Sequence, residues 1–297
     1  MERDCRSGFQ RCAAFDVPPG LPGAIVRRWR LGPPGGHTIV KICVLASSSA
    51  GNSTFIATGR TRILVDAGLS RKEILARLAA IGEDGETLDA ILITHEHTDH
   101  VSGLVPMARC GGRRSIPVFL TTLTSPAIPW GEYTPVLERF QAGSTFTIGD
   151  IEVDSFTIPH DAVDPVAFSF RTQGLKISQV TDLGYLPDSI KVHVSGSDLL
   201  VLESNHDLDM LKVGPYPWSV KQRVMGRNGH LSNDVVSSFI RDDLDTRTST
   251  LVLGHISEHN NHPAIVELMA SQALDGRTLF TKLVVAEPRH PTEVFVY

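Results

Sequence analysis

Thr94-His95-Glu96-His97-Thr98-Asp99-His100 stands directly after an apolar strand pattern, residues 88–94, and directly before an apolar segment, residues 101–107. Three imidazoles and an aspartate therefore fall within six residues. Imidazole and carboxylate are ligands that suit zinc, manganese and iron. Side chains two apart at a strand end point the same way, so His95 and His97 can share one metal ion. Asp99 and His100, one turn further on, can hold a second ion a short distance away. A helical HExxH zinc site is excluded, because the residue four after His95 is Asp99. A merely solvated loop has no need of this density of imidazole immediately after Ile91-Leu92-Ile93.

Upstream of this segment, residues 39–45, 54–58 and 62–65 are short β-rich runs separated by Ser/Gly/Asn and Thr-Gly-Arg turns, the pattern of an antiparallel meander. Ser70 then caps a helix running to about Ala80, with Ile74, Leu75, Leu78 and Ile81 on its apolar face. Downstream, strands are expected at 116–120, 145–148, 151–158, 166–171 and 175–180. The last third alternates: strand 199–203, helices near 217–225 and 231–243, strand 250–253, helix 263–274, strands 279–285 and 294–297. Two similar halves of strands interrupted by helices predict an α+β fold. Its form is an αββα sandwich, two mixed sheets packed together and flanked by helices on their outer faces.

The chain has 297 residues, 41% hydrophobic and 21% charged, enough to bury a sizeable core. No stretch approaches the roughly 20 apolar residues of a membrane span, so no membrane partner is expected. Residues 1–38 carry six arginines, three acids and two Pro-Pro pairs without apolar periodicity. They read as a disordered leader or a start placed too far upstream, leaving residues 39–297 as a single domain. The net charge of −5 becomes −8 over residues 39–297. That argues against a generally basic nucleic-acid coat, although a local basic groove does not register in a sum. Four irregularly spaced cysteines offer no disulfide framework, and a reducing, cytoplasmic setting is the default expectation.

Three further residues sit where a strand pattern meets a loop: His160, Asp182 in Thr-Asp-Leu-Gly, and His255. With them the sequence resembles the metallo-β-lactamase superfamily, whose HxHxDH signature matches His95, His97, Asp99 and His100. Several blocks resemble its YycJ/WalJ-like branch more closely: Ala-Ser-Ser-Ser-Ala-Gly-Asn-Ser (46–53), Leu-Val-Asp-Ala-Gly-Leu-Ser (64–70), Thr-Asp-Leu-Gly (181–184), Glu-Ser-Asn-His-Asp (203–207), Gly-His-Leu-Ser-Asn (229–233) and His-Ile-Ser-Glu-His-Asn-Asn (255–261). The resemblance implies two divalent metal ions, zinc or manganese. His95, His97 and His160 would hold the first, Asp99, His100 and His255 the second, with Asp182 bridging. It further implies a phosphodiesterase, with DNA as substrate and exonuclease action. Residues 1–38 have no counterpart in that family.

Two metals roughly 3.5–4 Å apart lower the pKa of a bridging water, so the expected nucleophile is a metal-bridging hydroxide. No Ser, Cys or Thr nucleophile lies in a GxSxG-like turn. Asp99 is expected to orient the attacking water, Asp182 to hold the ions at working distance, and His230, just before a helix, to donate the proton to the leaving oxygen. Asp66, Asp161, Glu203 and Ser257 lie where they can orient metal ligands. Ser49, Asn52, His206, Asn260 and Asn261 are the candidate substrate contacts. Arg109, Arg113 and Arg114, and separately Lys212, Lys221, Arg223 and Arg227 beside Tyr216 and Trp218, are the available cationic clusters. Hydrolysis of a small phosphodiester, ester or lactone is the alternative activity. A metal-binding regulatory protein without turnover is the alternative from another class, against which the complete set of seven ligands argues.

Overall fold

The computed structural model describes residues 39–297, apart from 112–114, 276 and 278–279. The expected leader over residues 1–38, and Arg113 and Arg114, lie outside the described residues. In chain order the strands are β1 (Lys41–Ser48), β2 (Gly51–Ala57), β3 (Arg62–Val65), β4 (Ala90–Leu92), β5 (Val118–Thr121), β6 (Leu137–Phe140), β7 (Thr145–Ile148), β8 (Ile151–Thr157), β9 (Val166–Thr172), β10 (Leu175–Val180), β11 (Leu199–Glu203), β12 (Thr250–Gly254), β13 (Lys282–Val285) and β14 (Phe295–Val296). The helices are α1 (Arg71–Ala80), α2 (Thr98–Val101), α3 (Leu104–Ala108), α4 (Asp188–Val194), α5 (Leu208–Val213), α6 (Trp218–Val224), α7 (Asn233–Asp242) and α8 (Pro263–Asp275).

The strands form two sheets, ordered β14-β1-β2-β3-β4-β5-β6 and β13-β12-β11-β10-β9-β8-β7. β1–β2–β3 is the expected antiparallel meander, and β3 to β6 continue it in parallel. The second sheet repeats the scheme, antiparallel from β7 to β10 and parallel from β10 to β13. Each half therefore begins with hairpins and ends with crossovers that need helices.

Period-two alternation divides these apolar strands between two interiors each. Ile42 and Val44 of β1, with Val65 of β3 and Leu92 of β4, meet Phe168, Phe170, Ile177 and Val201 of the second sheet in a central layer. Their neighbours Cys43, Leu45, Leu64 and Ile91 face outward, where Ile74 and Leu78 of α1 and Leu104 and Met107 of α3 cover them. On the other side Leu200, Leu202, Leu251 and Leu253 pack under Ile190 of α4, Val236, Phe239 and Ile240 of α7 and Val266 of α8. Helix, sheet, sheet, helix is the αββα sandwich expected from the strand pattern. Among the described residues, no helix is long and apolar enough to cross a membrane.

Functional residues collect where strands of both sheets end. Four non-glycine residues among those described have positive φ: Asp66 (61°), Gln173 (52°), Asp182 (63°) and His255 (52°). Three of them directly follow β3, β12 or, one residue on, β10. Left-handed backbone is strained for such residues and persists where the surroundings hold it. Here it turns an acid or an imidazole back across the end of its strand.

Candidate metal centre and active site

His95 leaves the end of β4, His97 is the N-cap of α2, and Asp99 and His100 lie in its single turn. His160, from the loop between β8 and β9, completes a group with His95 and His97 whose nitrogens lie within 4.8 Å of one another. Asp99, His100, Asp182 and His255 form a second such group. Asp182 joins the two. Its Oδ2 lies 3.3 Å from His100 Nε2, and its Oδ1 lies 3.4 Å from His255 Nε2 and 3.9 Å from His160 Nε2. All seven residues expected as ligands are thus brought together from both sheets.

Behind them the ligands are aimed by hydrogen bonds. Thr94 Oγ1 spends its one proton on Asp66, so Nδ1 of His95, 3.0 Å away, donates to it. Nε2 of His95 is then left toward the cluster, buried and without a hydrogen bond. His100 Nδ1 donates to Asp66 Oδ2 at 2.9 Å, leaving Nε2 toward Asp99 and Asp182. His160 Nδ1 donates to the Gly229 carbonyl at 3.3 Å, and its Nε2 lies 3.3 Å from His97 Nδ1. Asp182 Oδ2 is likewise buried without a hydrogen bond. Buried polar atoms left unpaired are costly, and nitrogen and oxygen donors converging on one point fit a divalent cation. The residues present therefore fit the metal that the donor set implies.

Electrostatics give the same picture. Burial pushes His95 and His160 below the ordinary histidine range, as a neutral ligand requires. Burial also opposes charge on His100, yet the Asp182 and Asp66 carboxylates hold its proton well above that range. For Asp182 burial favours the neutral acid, and His255 and His100 overcome it, holding the carboxylate well below its usual range.

Close backbone approach fixes the loop carrying Asp99. A Cβ on Gly68 would stand 1.7 Å from the Asp99 carbonyl oxygen, so only glycine lets the 66–69 turn lie there. Asn52 is buried beneath, its Nδ2 3.2 Å from Asp99 Oδ2 and 3.1 Å from His100 Nε2. It braces Asp99 and His100 from below. His255 is gripped from both sheets: its amide donates to Ser47 Oγ at 2.7 Å, and its carbonyl accepts from Asn205 Nδ2 at 2.9 Å. Thr94, Ser47 and Asn205 escape sequence reading, since nothing in a lone polar residue reveals which neighbour it will serve.

The third cluster is a carboxylate–histidine pair. Glu203 Oε1 accepts from His230 Nδ1 at 2.7 Å, while its Oε2 accepts the amides of Leu183 and Leu231. Burial opposes a charge on His230, but Glu203 and then Asp182 raise its pKa to about 9. His230 lines a cavity of about 160 Å³ with Ser49, His97, Asp99, Asp161, Asp182 and Arg223 among its walls.

Of the other expected substrate contacts, Ser49 is exposed at the cavity, and His206, Asn260 and Asn261 are buried. His206 is 1% exposed and pairs backbone with Ser232, and burial lowers its pKa to about 4. Asn260 is buried and bonds Ser257 Oγ, and Asn261 is buried against Asn233 and Ser204. These three residues hold the loops after β11 and β12 together. Lys221 is buried too, its Nζ donating to the Lys212 carbonyl, so it is not part of an exposed cationic track. Arg109 lies over the Tyr133 ring and Arg227 over that of Tyr185. Of the acids expected to orient ligands, Asp66 does so directly and Asp161 pairs with Arg223.

Residues 61–256 match the beta-lactamase superfamily domain. The chain is 39% identical over 226 residues to a Streptococcus pneumoniae protein named exodeoxyribonuclease WalJ, covering 74% of this chain and 83% of that one. It is 33% identical over 263 residues to a Bacillus anthracis protein named exodeoxyribonuclease YycJ, covering 84% and 97%. The crystal structure of the metallo-beta-lactamase fold protein YhfI from Bacillus subtilis superposes with a TM-score of 0.69 at 18% identity, covering 88% of this chain and all of that one. A fold shared with YhfI, a matching domain and the likeness to WalJ and YycJ over most of the chain agree: the chain belongs to the metallo-β-lactamase superfamily, alongside them.

Proposed function

We propose that this chain is a metal-dependent phosphodiester hydrolase that degrades DNA from an end. The observation that carries the reading is the gathering of His95, His97 and His160 in one group, and of Asp99, His100, Asp182 and His255 in an adjoining one, beside the Glu203–His230 pair. The exodeoxyribonuclease names of the similar WalJ and YycJ proteins give the substrate. Residues 39–297 form the hydrolase domain. Two divalent ions, zinc or manganese, fit the two ligand groups, with Asp182 between them. Bound there, they would supply Lewis acidity toward a phosphate oxygen and lower the pKa of water at neutral pH.

The chain's own groups do the rest. Asp99, steered by Asn52, orients the attacking water. His230, with Nδ1 committed to Glu203, presents Nε2 to the cavity and passes its proton to the departing oxygen. Glu203 keeps the imidazole in one orientation and favours its protonated form. Buried free Cys43 and Cys110 suit a reducing, cytoplasmic setting.

Digestion from an end requires an end. Linear duplex DNA is expected to be reduced to mononucleotides, while a covalently closed circle of the same sequence stays intact on an agarose gel. Nicking or fragmentation of the circle would make the enzyme an endonuclease. The small cavity favours a second reading, hydrolysis of a small phosphodiester, since about 160 Å³ admits little more than one phosphodiester group. In that case both DNA forms survive.

A further inference from the structure

The cavity at the ligand cluster has one cationic side chain besides histidine among its described lining residues: Arg223, in the last turn of α6. Its Nε donates to Asp161 Oδ2, and its two Nη groups have no hydrogen-bond partner among the described residues. The side chain is 67% exposed. Asp161 follows the ligand His160, and its other oxygen lies 3.6 Å from His160 Nε2. The guanidinium therefore stands at the cavity mouth, one carboxylate beyond the ligand group.

α6 holds this position firmly. The His230 amide donates to the Val224 carbonyl at 2.9 Å, and a Cβ on Gly229 would stand 2.2 Å from that same oxygen. Gly229 in turn accepts from His160. On the other side, a Cβ on Gly184 would meet the Arg227 backbone at 2.3 Å, so the turn carrying Asp182 packs directly on the chain after α6. Arg223 is tied through backbone to both ligand turns, and only its side chain is free to change partners.

We propose that Arg223 binds the phosphate adjoining the one being cut, exchanging Asp161 for the DNA backbone; this role rests on the nuclease reading above. Metal ions at Asp99 and Asp182, with His230, would meet the phosphate being cut; Asp161 at the mouth opposes the next one, and a cation is needed there as well. Lys221 is spent inside the protein, which leaves Arg223. An exposed ion pair is worth little, so Asp161 is readily displaced. The guanidinium fork matches two phosphate oxygens at once, and its free Nη groups are available for them.

The test is steady-state digestion of linear duplex DNA by the metal-loaded full chain at several salt concentrations. Arg223→Ala is expected to raise KM about 10-fold with a smaller change in kcat, the loss expected for one charge-assisted phosphate contact. The slope of log(kcat/KM) against log[salt] becomes shallower by about 0.9, one phosphate contact. Arg223→Lys recovers the slope, since charge returns, but only part of KM, since the fork does not. Asp161→Asn, which frees the guanidinium, lowers KM. An Arg223→Ala protein with wild-type melting temperature, metal content, KM and salt slope would overturn the proposal while leaving the nuclease reading standing. A wild-type protein that leaves DNA intact yet hydrolyses bis(p-nitrophenyl) phosphate would overturn both.

Discussion

Asp182→Ala is expected to abolish hydrolysis, with a loss of at least ~10³-fold, and to remove metal-dependent stability at the same time. Asp182 is 2% exposed and lies within 4 Å of four imidazoles: His100, His160, His230 and His255. Among the described residues it is the side chain that approaches both His160 and the Asp99–His100–His255 group. In the wild type, metal at about 100 times its dissociation constant stabilises the fold by about 2.7 kcal/mol. For a domain of this size each kcal/mol moves Tm by roughly 2–4 °C. Chelation should therefore lower the wild-type Tm by several degrees and leave that of Asp182→Ala almost unmoved. The carboxylate also shapes acid stability. Its folded pKa is held below the usual value, so its contribution is complete above that value and is lost as pH falls through the lower, folded one. A variant that retains activity, or whose Tm still falls on chelation, would contradict the bridging role.

His230→Gln and His230→Ala are expected to lower kcat by about 10²–10⁴ while leaving metal content intact, because His230 delivers a proton and is not among the seven ligands. The pH profile distinguishes this from a structural defect. His230 has a pKa raised to about 9 against an ordinary 6.5, the Glu203 and Asp182 charges outweighing burial. Its acid form is thus full at neutral pH and is lost as pH rises. Cations at Asp182 lower that value, so the wild-type rate should fall along an alkaline limb at or below pH 9, and the variants should lack that limb. The same shift has a stability consequence: the pair stabilises the fold fully below about 6.5, and the contribution disappears as pH rises through about 9. Glu203→Gln should shift the alkaline limb downward without removing it. An unchanged limb in the His230 variants would assign the proton to another group.

The central part of this site was legible because it is local. Four ligands in six residues after an apolar strand need no tertiary information, and β3, β7, β10 and β11 begin and end where the alternation predicts. His160, Asp182 and His255 were visible as strand-end residues, though their convergence depends on two sheets meeting. Of the short helices, α6 was expected near 217–225, and α2, α3, α4 and α5 were not. α4 spans Asp-Ser-Ile-Lys-Val-His-Val, whose β-branched residues weaken a helix signal, and α2 is a single turn. The asparagines expected as substrate contacts are buried and hydrogen-bonded within the protein. Asn52, Asn260 and Asn261 have the same residue signature whether they meet a ligand or satisfy loop backbone; all three bond loop atoms, and Asn52 also reaches Asp99 and His100. The Glu203–His230 pair joins residues 27 apart through the end of β11, a contact that no spacing rule anticipates.

The account stands or falls on end-labelled duplex DNA incubated with metal-stripped protein, with manganese or zinc then restored, beside Asp182→Ala treated identically. The account predicts no digestion by the stripped protein, stepwise loss of nucleotides once metal returns, and none by the variant. Intact label at full metal occupancy, with either ion, would contradict it.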